Sequence, residues 1–254
     1  IRSLADSQSG HDLYQCLTAV PRNTRGMTGG IASIGAWISR LYGRDRDGIP
    51  AHLSLMHPTG HRQWGDPGEG GFLGRQHGPF RLAKGNGDNT GLDTVENMTL
   101  NDLSLERLQD RRALRGSFDN FRRDLNDAGD FGSLDEFEQQ ALGILSSSKM
   151  AGALDLSKED PKVLERYGKP DPEWRADGAP KMTTNFLLAR RLVEAGARYV
   201  SLNFSRWDWH SNNFDRGRVD IPMLDQALCA LVQDIHDRGM DKDVSVVCWG
   251  EFGR

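Results

Sequence analysis

Ala197–Phe204 (ARYVSLNF) decides the fold, read together with Trp207-Asp208-Trp209-His210, a helical pattern over Ile221–Arg238 and the stretch Val244–Trp249 (VSVVCW). The first and last of these read as β-strands, and Gly239 closes the helix between them. Strand, loop, helix and strand in that order favour parallel neighbours in one sheet. Open α/β sheets gather their chemistry just beyond the carboxyl ends of their strands. Two such ends carry polar side chains here. Asp208 and His210 follow the first, and Gly250-Glu251-Phe252-Gly253-Arg254 follows the second. A carboxylate and an imidazole, joined by a second carboxylate, form the donor set of a divalent-metal hydrolase site.

Bulk properties narrow the choice. A chain of 254 residues is long enough for one large domain, and 37% hydrophobic residues with 29 glycines is ordinary for a globular protein. A net charge of −4 leaves no electrostatic footprint for nucleic acid. No apolar run approaches the ~20 residues of a membrane span. Three cysteines (Cys16, Cys229, Cys248) are too few and too scattered for a disulfide framework. Cys229 and Cys248 lie in apolar helix and strand patterns, which predicts buried thiols. With no initiator Met, no signal peptide and a last residue just past a strand end, the chain reads as an internal piece of a longer protein.

Upstream, Ile31–Tyr42 (IASIGAWISRLY) places Ile31, Ile34, Trp37, Ile38 and Leu41 on one helical face, predicting a core-facing helix. Pro50–Met56 reads as a short strand. Residues 57–99 are rich in Gly, Pro, Asn and Asp and read as a long loop. Leu105, Leu108, Leu114, Phe118, Phe121 and Leu125 make a helical stripe capped by Ser104, and Ser133-Leu134-Asp135-Glu136 fits a capping box. Short helices are expected at Lys149–Leu154 and Pro161–Tyr167, so residues 100–170 read as a helical insert. Thr184–Glu194, closed by Gly196, reads as the helix that feeds the first strand.

An ordered set of short stretches resembles one bacterial family, the sulfatase-like domain of unknown function 1501. The set is Gly71-Phe72-Leu73-Gly74, His77-Gly78-Pro79-Phe80, Leu103–Leu114, Glu165-Arg166-Tyr167-Gly168, Phe186–Gly196, Arg198-Tyr199-Val200, Trp207-Asp208-x-His210 and Gly250–Arg254. It runs in family order along the whole chain. The family is similar to the alkaline-phosphatase superfamily, which hydrolyses phosphate or sulfate esters at divalent metals. The resemblance implies an α/β three-layer sandwich with a mostly parallel sheet. The chain would be one such domain over residues 1–254, truncated at both ends and carrying the helical insert. It also implies export to the periplasm or beyond, and a small-molecule or polysaccharide ester as substrate.

Within that frame Asp208 and His210 are the expected ligands of a divalent metal (Zn, Mn or Ca). Their i,i+2 spacing sets both side chains on one side of an extended loop. The structural alternative has Asp208 holding the turn while His210 packs between Trp207 and Trp209. Glu251 is a third ligand, or else it pairs with Arg254 or Arg206. Phe252 stands where relatives carry a second ligand. Arg254 suits a bidentate clamp on an anionic oxygen. Sulfatases set a nucleophile ahead of a Leu-Thr-Gly ending; Leu17-Thr18-Ala19 takes that place here, and ten residues before Ala19 stands Ser9. The rest of that signature is missing, so Ser9 is either a nucleophile or a polar cap. His52, His57, His61 and His77 do not match a zinc spacing and read as solvated loop histidines, two of which would line the mouth of the site.

Overall fold

The computed structural model describes residues 13–20, 30–43, 48–60, 66–83, 147–174 and 178–250. The described elements run α1 (Leu13–Thr18), α2 (Ile34–Tyr42), β1 (His52–Ser54), β2 (Phe80–Arg81), α3 (Ser148–Leu154), α4 (Pro161–Arg166), α5 (Thr184–Ala195), β3 (Tyr199–Ser201) and α6 (Asn213–Asp237). The stripe from Leu105 to Leu125 and the box at Ser133 lie outside the described residues, as do Ser9, His61, Glu251 and Arg254.

The fold is mixed α/β, with a small parallel sheet in the order β2-β1-β3. Leu53 pairs with Phe80 on one side and with Val200 on the other. Side chains alternate across β1, and the two faces meet different partners. Leu53 and Leu55 pack into an apolar cluster with Leu82, Met150, Leu154, Leu188 and Leu192, so α3 and α5 cover that face. His52 points the other way, edge-on to Tyr199 at 5.1 Å and against Gly35 of α2. On its far side α5 joins a second cluster in which Phe186 and Leu187 meet Tyr167, Phe204, Ala227, Leu231 and Ile235.

Helix α5 is therefore buried on two sides, and so is Arg190 within it, with only 1% of its side chain exposed. A buried guanidinium is tolerable only when its donors are met by carboxylates. Arg190 donates to Glu159 at 2.5 Å, to Asp234 of α6 at 2.8 Å and to Glu194 at 2.8 Å. Burial alone would push the Glu159 carboxyl up, but bonds from Arg191 and Arg190 hold it below its ordinary value. Asp234 also accepts from the Tyr167 hydroxyl at 3.0 Å.

Five expectations need correction. Helix α2 turns its small residues inward: Gly35, Ala36 and Ser39 are buried, while Ile34, Trp37 and Leu41 are exposed. A Cβ on Gly35 would lie 2.5 Å from the His52 ring, so no larger residue fits that contact. Val244–Trp249 forms no strand, and Val246, Val247 and Trp249 are exposed. The segment leaves α6 through a turn in which Val244 N–H donates to Met240 C=O, and it joins no ladder among the described residues. Cys229, on α6, and Cys248 are both exposed rather than buried. Helix α6 begins at Asn213, eight residues before Ile221, and carries Pro222 in its interior. Within residues 57–99, Phe80–Arg81 forms the strand β2. No described helix is long and apolar enough to cross a membrane.

Replacing Arg190 with Met should cost about 3 kcal/mol of unfolding free energy, because three carboxylates lose a buried partner. Arg218→Met, which breaks only an exposed pair with Asp215, should leave the urea midpoint unchanged. Paired urea melts check both.

Candidate active site at the carboxyl edge of the sheet

The carboxyl end of β3 is built as a sharp exit. Asn203 reaches across to the chain leaving β1, accepting from His57 N–H and donating to His57 C=O, both at 2.8 Å. Two residues on, Ser205 takes a left-handed conformation (φ 61), unusual for a residue with a Cβ. Its buried hydroxyl donates to Asp220 at 2.6 Å, and Asp220 accepts from the buried Lys181 ammonium at 3.1 Å. Lys181 also pairs with Asp171 at 3.1 Å. This chain of charges fixes the corner from which residues 206–210 set out.

Beyond the corner the polypeptide folds back on itself. Trp209 N–H donates to Trp207 C=O at 2.8 Å, a three-residue turn centred on Asp208. Trp209 is buried beside Gly217 of α6, and Trp207 leans on it with ring centroids 5.3 Å apart. The Trp207 indole N–H is tied to Phe204 C=O at 2.6 Å. Asp208 and His210 emerge together, Oδ2 to Nε2 at 2.9 Å. The Asp208 side chain is 14% exposed and that of His210 73%. The imidazole is thus in solvent, and the two tryptophans pack on each other instead of enclosing it.

Two uses fit this pair. A tetrahedral ion with bonds of about 2.0–2.1 Å holds neighbouring donor atoms about 3.3 Å apart, so a few tenths of an ångström of widening would let both side chains bind one metal. Equally, a histidine held by a carboxylate through one ring nitrogen can move a proton at the other. No group of three or more His, Cys, Asp or Glu among the described residues is placed to hold a metal.

His52 and His57, expected in solvent, are buried. Because His52 Nδ1 lies 3.2 Å from His77 C=O, which can only accept, the proton sits on Nδ1 and Nε2 is left with a bare lone pair. Burial lowers its pKa to about 4 against the support of that carbonyl, with Arg81 lowering it further. His57 Nε2 lies 3.3 Å from the Asn185 amide nitrogen, and burial lowers its pKa to about 4 as well. His57 stands beyond the carboxyl end of β1, at the same sheet edge as Asp208 and His210. His77 is half-buried, with Nδ1 3.2 Å from the Ser39 hydroxyl.

The chain belongs to the family described as "Protein of unknown function (DUF1501)", whose model matches residues 1–254. No curated protein and no solved structure matches it.

The buried histidines set a pH dependence. Their folded pKa values lie below the unfolded value of 6.5, so the unfolded chain binds more protons between about pH 6.5 and 4. Their contribution should be complete above pH 6.5 and fall as the pH drops through that window. Urea midpoints taken from pH 7 to 4.5 should decline, and the decline should be shallower in a His52→Gln/His57→Gln double variant.

Proposed function

We propose that this chain is a metal-dependent hydrolase of sulfate or phosphate esters, built on an alkaline-phosphatase-like three-layer sandwich. The observation that carries the reading is the Asp208–His210 pair, set side by side at the carboxyl end of a parallel strand. Asp208 and His210 supply two donors and Glu251 the third. The metal's contribution, when bound, is to polarise the ester oxygen and acidify a hydroxyl or water. Arg254 receives the anionic oxygens of the substrate, and Ser9 is the nucleophile. The Asn203 clamp and the Ser205–Asp220–Lys181 chain hold the β1 and β3 exits in fixed relation, so Asp208 and His210 do not have to be ordered on binding. In keeping with the family resemblance, the protein works after export.

A second reading, an exported binding protein that keeps the fold without catalysis, is favoured by one observation. The imidazole of His210 already has Asp208 as its partner and is otherwise in solvent.

Elemental mass spectrometry after loading with Zn, Mn or Ca separates the two. Near-stoichiometric metal in the native protein, falling at least about tenfold in affinity in His210→Ala and Asp208→Ala, is the expected result. No metal retained by the native protein would leave the binding reading in its place.

A further inference from the structure

Helix α2 is built inside out. Its inward face is Gly35, Ala36 and Ser39, and at Gly35 even one added carbon would strike the rings of His52 and Tyr199. The outward face carries the large side chains. Ile34 is 46% exposed, Trp37 42% and Leu41 65%, at i, i+3 and i+7 along one stripe. Tyr42, the last residue of the helix, is 70% exposed. The stripe does not stop at the helix. Phe72 is also exposed and meets Trp37 edge-on, with ring centroids 5.6 Å apart. Its turn is tied to the approach of α2 by Phe72 N–H, which donates to Gly30 C=O at 2.9 Å. Two segments thus form one apolar ridge.

The charges beside the ridge have one sign. No acidic residue lies in α2, whereas Arg40, one turn from Trp37, and Arg75, three residues past Phe72, are both exposed. Exposed arginines elsewhere, such as Arg81, Arg166 and Arg218, each meet a carboxylate. Arg40 and Arg75 meet none among the described residues. We propose that the α2 ridge seats the protein on a membrane surface that contains anionic lipid. Trp, Leu and Phe beside Arg suit a segment lying in the headgroup region, with apolar groups at its inner boundary and cations against lipid phosphates. Trp and Tyr favour that depth because each joins an apolar ring to a polar tip. The anchors of a protein interface sit in well-packed pockets, whereas Leu41 and Tyr42 project into water; a bilayer takes projecting side chains without a matching shape. A second copy is disfavoured. A two-fold contact through the ridge would gather the arginines of both copies around one apolar patch, with no carboxylate from α2 to answer them. The contact is peripheral, since a helix of 9 residues is too short to span a bilayer. It is independent of the hydrolase reading.

The test is co-sedimentation of the protein with phosphatidylcholine vesicles and with vesicles of phosphatidylcholine and phosphatidylglycerol, at low and high salt. Binding to the phosphatidylglycerol vesicles is expected, and salt should weaken it. Affinity should fall about fivefold in Arg40→Gln and about tenfold in Leu41→Ser. Both side chains face water, so the fold should survive both changes, which urea melts check. No binding to the anionic vesicles, or equal binding by the native protein and both variants, would overturn the proposal. So would a dimer in analytical ultracentrifugation that Leu41→Ser dissociates while the vesicles stay unbound, which would make the ridge a contact between copies.

Discussion

Arg190 is the constraint around which the rest is arranged. It sits in the middle of α5, the helix that separates the sheet from α6, and has almost no contact with water. A charge in that position is stable only if neighbouring elements bring carboxylates to it, and they do: Glu159 from the turn before α4, Asp234 from α6 and Glu194 from its own helix. The geometry of the pairing sets where α6 lies relative to α5. Gly217 of α6 then backs Trp209, and Asp220 of α6 takes the Ser205 hydroxyl. The carboxyl edge of the sheet is thus positioned through a helix packing fixed by one buried cation.

The sheet is parallel as expected, but not between the strands that suggested it: β3 pairs with β1, which reads in the sequence as a strand without a partner, and β2 lies in sequence that reads as loop. The facing of α2 was not legible. Periodicity finds the more apolar side of a helix, but the sheet surface it meets presents the rings of His52 and Tyr199, and only small residues can approach them closely. The helix therefore packs by shape, and its large apolar side chains face outward. Val244–Trp249 misled for a related reason. A β-branched run specifies a strand only when it pairs, and this one, leaving the turn at Met240, joins no ladder among the described residues. The helix read from Ile221 in fact begins at Asn213 and carries Pro222 within it, because a helix of that length tolerates one missing donor.

The proximity of Asp208 and His210 could be read directly, since i,i+2 spacing on a loop after a strand sets both side chains on one side. The groups that hold them in place could not. Asn203 and His57 are separated by 146 positions, and nothing in either stretch announces the other. Lys181, Asp220 and Ser205 look like surface polar residues until burial joins them. The histidines expected in solvent show the same gap, for burial and not residue type fixes their protonation.

The Asn203 clamp has one more consequence. It grips the main chain of His57 through N–H and C=O and leaves the imidazole out of the contact. The clamp's two hydrogen bonds would therefore survive a change of the His57 side chain, whose own tie, to the Asn185 amide, is separate; what holds the strand exits together and what fills the space behind them are two independent contacts at this edge.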